Sequence, residues 1–232
     1  MERYYKIAGL QVKMDSFGRT VAQAEAYLTE KPEHVDMVVT GNAEGLQQRA
    51  PHLDLDSCEY LSTGGGFYRG LLDFDGMLLH SSAVMLDGKA YLFTAPCGTG
   101  KSTHTQLWLQ VFGQRAAILN DDKPALRLEN GVWYAYGTPW SGKTDQNINT
   151  RVPLAGICVL SRGAENKIYP HEGKQAIHDI LEQTARSADS AFMMKLLRLL
   201  DRLITQVPVW KLECNMDPQA ALVSYGAMCG KE

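Results

Sequence analysis

Thr94-Ala95-Pro96-Cys97-Gly98-Thr99-Gly100-Lys101-Ser102-Thr103 is the stretch on which the fold turns. An apolar run, Tyr91-Leu92-Phe93, leads into it. Helical spacing through Thr105, Leu107, Trp108 and Val111 follows it. Strand, glycine loop and helix is the order a polyphosphate site requires. Glycines let several backbone N–H groups converge on one anion, and a helix N-terminus adds its dipole. On this reading Cys97, Gly98, Thr99, Gly100, Lys101, Ser102 and Thr103 surround the phosphates of a nucleoside triphosphate. Lys101 reaches the β- and γ-phosphates, and the Ser102 hydroxyl ligates Mg²⁺. The general pattern GxxxxGK[ST] begins with a glycine where this chain has Ala95, so Gly98 and Gly100 must supply the tight turns.

One helix further on, the apolar run Ala116–Leu119 ends at Asn120-Asp121-Asp122. Two adjacent carboxylates at a strand end suit two jobs: one holds Mg²⁺, directly or through water, and the other takes a proton from an attacking hydroxyl. Beyond them, Tyr136-Gly137-Thr138-Pro139-Trp140-Ser141-Gly142-Lys143 is a compact loop with an aromatic, two hydroxyls and a cation. Lys143 is a candidate contact for a phosphoryl group or an acidic substrate, and Arg151 and Arg162 are weaker candidates of the same kind. Cys97 sits near a helix N-terminus, where a thiolate is favoured.

The glycine loop, the aspartate pair and the upstream Leu79-His80-Ser81-Ser82-Ala83 together resemble the nucleotide core shared by HPr kinase/phosphorylase and ATP-dependent phosphoenolpyruvate carboxykinase. The resemblance covers residues 75–145 well and the C-terminal part loosely, and leaves residues 1–65 outside it. It implies that Lys101 and the loop amides bind phosphates and that Ser102 and Asp122 attend the metal. It also implies that Asp121 is the general base, with His80 near the γ-phosphate or a second metal. Two departures limit it. The chain is far shorter than a carboxykinase, and the signature segment that HPr kinases carry after the aspartate pair is replaced by Tyr136–Lys143. HPr itself is therefore not the implied acceptor.

The rest of the chain sets the frame. With 45% apolar and 21% charged residues in 232, a packed soluble domain is affordable. Lys plus Arg number 23 against 26 acidic residues, which argues against a nucleic-acid or anionic-membrane binder. Five cysteines without a CxxC pair argue against a disulfide framework or structural zinc. No apolar signal core and no membrane-length stretch is present, so the expected location is cytoplasmic.

Patterning predicts strands over 3–13 and 35–40, a helix over 20–29, an irregular polar stretch over 41–62 and a turn at Gly64-Gly65-Gly66. That turn suggests a small N-terminal α+β segment, 1–66, packed on the core or recognising the acceptor, followed by an ATP-binding kinase domain, 67–232. Within the latter, strands are expected over 67–74, 77–85, 89–94, 116–119, 125–128, 132–136, 154–160 and 207–212. Helices are expected over 102–112, 173–187, 190–205 and 218–225. The broad apolar face of Ala191–Ile204 reads as core, with contact between copies in a homo-oligomer as a second reading. Trp108 reads as core, and His104 has no evident partner.

The resulting expectation is an α/β protein with a mixed β-sheet P-loop core of the HPr kinase/phosphoenolpyruvate carboxykinase type and flanking helices. Its reaction would be transfer of the ATP γ-phosphoryl to a hydroxyl on a protein, peptide or small molecule, with Mg²⁺ (or Mn²⁺). The alternatives are a carboxykinase-like enzyme on a small anionic acid and an ATP-binding sensor without turnover.

Overall fold

A computed structural model describes residues 2–229. The run predicted as one strand over 3–13 folds back on itself as β1 (Arg3–Ile7) and β2 (Leu10–Asp15). Ala8 and Gly9, with φ of 51° and 79°, make the tight turn between them. Their inward side chains, Tyr5, Ile7, Val12 and Met14, are buried and, Tyr4 apart, the outward ones polar, the alternation of a sheet with one covered face. After α1 (Gly18–Ala24) come the two-residue β3 (Leu28–Thr29) and β4 (Met37–Thr40). Together they form a four-stranded sheet, β3-β1-β2-β4, with β4 parallel to β2.

The stretch read as irregular is helical: α2 (Ala43–Arg49) and α3 (Leu55–Leu71). Asn42 and Asp54 cap them by accepting the Gly45 and Ser57 N–H groups. The expected turn at Gly64–Gly66 is part of α3. Gly64 allows approach rather than reversal: a Cβ there would lie 2.9 Å from Trp140 Cδ1. The strand expected over 67–74 is the last turn of α3 and a 3₁₀ turn, Leu72–Phe74.

The larger sheet contains β5 (Gly76–Leu78), β6 (Ser81–Leu86), β7 (Lys89–Thr94), β8 (Ala116–Asn120), β9 (Ala125–Glu129), β10 (Val132–Tyr136), β11 (Arg151–Arg162), β12 (Lys167–Pro170) and β13 (Val209–Cys214). Its main path runs β5-β9-β10-β11-β7-β6-β8, with β13 also on β11 and β12 on β13. β7, β11 and β13 are mutually parallel, so their carboxyl ends open on one edge. The single strand expected over 77–85 breaks at Leu79–His80 into β5 and β6, which places His80 in the break.

Helix α4 (Lys101–Phe112) and α7 (Gln219–Met228) cover one face of the sheet. Helices α5 (Gly173–Leu181) and α6 (Ser190–Gln206) cover the other. Leu196, Leu199, Leu200 and Leu203 of α6 are buried in that core, while Met194 and Leu197 are exposed. A further apolar cluster joins Tyr5, Val12 and Met14 to Phe67, Leu71, Ala125, Tyr136 and Trp140, so the N-terminal sheet shares a core with the loop after β10. No helix among the described residues is long and apolar enough to cross a membrane.

Candidate active site

β7 ends at Thr94, and the chain leaves the sheet through Pro96–Gly100 before α4 begins at Lys101. Gly98 and Gly100 have φ of 77° and 124°. Nothing lies within 4 Å of a Cβ at either position, so both glycines serve the backbone's conformation and not its packing. Gly100 caps α4 without a side-chain acceptor, which leaves the first-turn N–H groups for another partner. Arg162, at the end of β11, donates to Gly98 O (2.6 Å) and Thr99 O (3.4 Å). That ties down two of the loop's carbonyls, while the Thr99 N–H turns back to Pro96 O at 3.3 Å.

Lys101 is buried, its Nζ 2.9 Å from Ala95 O. Burial lowers its pKa, while the charges of Cys97, Asp122 and Asp121 act in the opposite direction. One of the three ammonium donors is used on the carbonyl, so two remain. Ser102 is half-buried, and its hydroxyl makes no hydrogen bond among the described residues. Cys97, Gly98 and Thr103 are exposed.

The aspartates are held from several sides. Ser82 donates to Asp121 Oδ1 (2.6 Å), and Thr105 of α4 meets Ser82 Oγ at 2.7 Å. Thr144 donates to Asp121 Oδ2 (2.9 Å). Asp122 pairs with His80, Nε2 to Oδ1 at 3.0 Å, and with Lys123 through its other oxygen. Its backbone accepts the Ser81 N–H (3.1 Å). Asn120, fully buried, shapes the turn: its Oδ1 accepts the Asp122 and Lys123 N–H groups while its Nδ2 donates to Thr138 O. Burial pushes the Asp122 carboxyl upward and is the largest single influence. The hydrogen bonds and charges of His80 and Lys123 together outweigh it, so its pKa lies below the ordinary value.

The structure thus gathers His80, Lys101, Asp121 and Asp122 around the start of α4. Lys143 is not drawn in: it is exposed and makes no hydrogen bond or ion pair among the described residues. Arg151 pairs instead with Glu129, on the β9–β10 hairpin. His104 is buried beside Phe93 and meets Ser224 Oγ at 3.0 Å, as does the Trp108 indole N–H. Among the described residues no group of three or more His, Cys, Asp and Glu side chains is disposed to hold a metal.

Sequence reading passed over Ser82, Thr105 and Thr144: the first two join α4 to Asp121, and the third joins the loop after β10 to it. Ser82 carried a signal: a hydroxyl beside the apolar run Ala83–Leu86 must find a partner once buried. Thr144 carried none.

Two cavities open beside the loop at the carboxyl ends of β7 and β11. One, of 470 Å³, runs from Gly98, Gly100 and Thr103 to an apolar end at Leu107, Leu160 and Met216. The other, of 740 Å³, lies between Ala95–Thr99 and the side chains of His178, Asp179 and Lys211.

No protein-family model matches the sequence. No curated protein matches it either. Among solved structures, the fold is similar to an HPr(Ser) kinase/phosphatase from Coxiella burnetii, at 11% identity and a TM-score of 0.37, over 63% of this chain and 90% of that one. Neither site nor reaction is inherited from a likeness of that size.

Proposed function

We propose that this chain is an ATP-dependent phosphotransferase that passes the γ-phosphoryl group to a hydroxyl acceptor, a serine-like group on a protein, peptide or small molecule. The observation that carries the reading is the hydroxyl chain from α4 to the aspartate: Thr105, Ser82 and Asp121 in sequence, at 2.7 Å and 2.6 Å. It fixes a carboxylate relative to the helix whose first turn would hold the phosphates, as phosphoryl transfer by positioning requires.

In this reading Lys101 and the free amides at the start of α4 take the β- and γ-phosphates. The apolar cavity toward Leu107, Leu160 and Met216 seats the base. Asp121 accepts the proton of the acceptor hydroxyl as its oxygen bonds to the γ-phosphorus and the bridging oxygen leaves with ADP. The donor set fits a phosphate-bound cation, since Ser102 has an uncommitted hydroxyl and Asp122 is held ionised. Mg²⁺, or Mn²⁺, held there would offset the charge of the phosphates. His80 keeps Asp122 oriented.

One observation favours a second reading, an ATP-binding sensor without turnover: both Asp121 oxygens already accept hydroxyl hydrogen bonds. The carboxykinase alternative would need an arginine clamp. Arg162 is committed to the loop's carbonyls and Arg151 to Glu129.

The test is transfer of label from γ-labelled ATP to candidate hydroxyl acceptors and to water. Label transfer abolished in Lys101→Ala and lowered at least about 100-fold in Asp121→Asn supports the phosphotransferase. Equal transfer by Lys101→Ala overturns it. Tight ATP binding without transfer, unaltered in Asp121→Asn, establishes the sensor.

A further inference from the structure

The loop after β10 touches both aspartates. Thr144 donates to Asp121, and Gly142, at φ 73°, lies so close to Asp122 that a Cβ on it would stand 3.0 Å from Asp122 Cβ. The far end of this loop is fixed to β8 by strand-like hydrogen bonds: Asp121 N–H to Gln146 O and Ile148 N–H to Leu119 O. Its near end is fixed by Thr138, which donates to Lys123 O. The middle is held by the N-terminal segment. Tyr60 Oη of α3 accepts the Gly142 N–H at 2.8 Å, and Gln23 Nε2 of α1 donates to Gly142 O at 2.9 Å. Both polar groups of a single peptide residue are therefore taken by side chains from the first 66 residues.

Tyr60 and Gln23 are themselves buried. The Tyr60 ring lies under the Arg19 guanidinium, 3.9 Å from the ring centroid, and Lys123 Nζ lies 5.4 Å from the same centroid. Lys123 in turn meets Asp122. So Tyr60 approaches Asp122 by two routes, through Gly142 and through Lys123. Neither residue touches the phosphate loop in any hydrogen bond.

We infer that Tyr60 and Gln23 form a clamp on Gly142 that positions Asp122 and, through Thr144, Asp121, making the N-terminal segment a working part of the transfer site. The inference rests on the phosphotransferase reading above. Both residues are positioning residues. A buried hydrogen bond lost at the clamp lets Gly142 drift from Asp122, and displacement of a positioned group lowers turnover without loosening nucleotide binding.

The experiment measures phosphate release from Mg²⁺·ATP, with water as acceptor, in wild type, Tyr60→Phe, Gln23→Leu and the double variant. Tyr60→Phe keeps the ring and removes only the hydroxyl. The expected result is a loss of about tenfold in kcat for each single variant, with KM for ATP within about twofold of wild type. In an Asp122→Asn background the same Tyr60→Phe change is expected to cost clearly less than tenfold, because only the route through Thr144 to Asp121 remains, whereas general loosening of the fold would cost the same factor in both backgrounds. Turnover in wild type with kcat unchanged in Tyr60→Phe and Gln23→Leu overturns the clamp and leaves the phosphotransferase reading standing. ATP binding without turnover in wild type overturns the phosphotransferase reading instead. The clamp is then decided by amide resonances: those of Asp121 and Asp122 shift in Tyr60→Phe if it holds, and unmoved resonances overturn it.

Discussion

His80 Nε2 lies 3.0 Å from Asp122 Oδ1, and Lys123 holds the other oxygen of the same carboxylate. The pair crosses the break between β5 and β6, where His80 also donates its N–H to Gln183 O at 2.7 Å. A histidine fixed by its backbone can aim its ring.

This geometry has a consequence for acid stability. The Asp122 pKa is depressed in the fold, so the folded state binds fewer protons there than the unfolded chain does. The resulting stability is present above the unfolded value of about 3.9 and is lost as pH falls through the lower folded value. In chelator-containing buffer, Asp122→Asn is expected to lose less stability than wild type between about pH 4 and pH 2. His80→Ala is expected to raise the Asp122 titration midpoint, read from carboxyl carbon resonances. An unmoved midpoint in His80→Ala contradicts the assigned cause.

The glycine triplet of α3 yields an opposed pair of effects. Gly65 is exposed, helical and free of neighbours within 4 Å of a Cβ, whereas a Cβ at Gly64 meets the fully buried Trp140. Gly65→Ala should stabilise the chain by about 0.5–1 kcal/mol, the helix-propensity difference. Gly64→Ala should destabilise it by about 1–3 kcal/mol through overpacking. Chemical denaturation measures both. If the triplet were a turn, Gly65→Ala would not stabilise.

That triplet also shows where the sequence was and was not legible. The β7–loop–α4 unit, the β9–β10 hairpin and most later elements could be read because each carries a local signal: a period, an Asn-Gly turn or a glycine loop before a helix. Gly64–Gly66 has the local signal of a turn, yet tertiary packing against Trp140 and Val39 makes it helix. Helix α3 was hidden for the same reason. Glu59, Thr63 and Gly64 lie among its buried residues, between Cys58 and Phe67, so the apolar period of its inner face is interrupted in the middle. At the site, the loop, the aspartates and His80 lay within one readable stretch. Tyr60, Gln23 and Thr144 did not, because their importance arises from contacts across 82, 119 and 23 residues of chain.

Gly98 and Gly100 test the loop itself. Both have positive φ and open space around them, so alanine there is opposed by backbone strain alone. Gly98→Ala should cost about 1–2 kcal/mol of stability, and Gly100→Ala, at a φ of 124°, up to about 3. Relief of that strain rotates the amides that would face phosphate. Affinity for ATP and for inorganic tripolyphosphate is therefore expected to fall at least about tenfold in each variant, by calorimetric titration. Wild-type tripolyphosphate affinity in both variants would remove the loop from phosphate binding.

His104 sets the response to mild acid. It is buried against Phe93, with Nε2 on Ser224 and Nδ1 lacking a partner among the described residues. Burial lowers its pKa from 6.5 to about 4. In the unfolded chain the same imidazole protonates near pH 6.5. Below that value the unfolded state binds the proton that the folded state refuses, so stability falls as pH drops from about 6.5 to about 4 and levels off beneath. The full loss is on the order of 3 kcal/mol. Wild type is thus expected to lose thermal stability between pH 7 and pH 5 on a slope that His104→Gln flattens, although the variant starts lower at pH 7 through altered packing. Scanning calorimetry at several pH values reads the slope. Parallel slopes for the two proteins would show that the proton taken up on unfolding in this range belongs to another group.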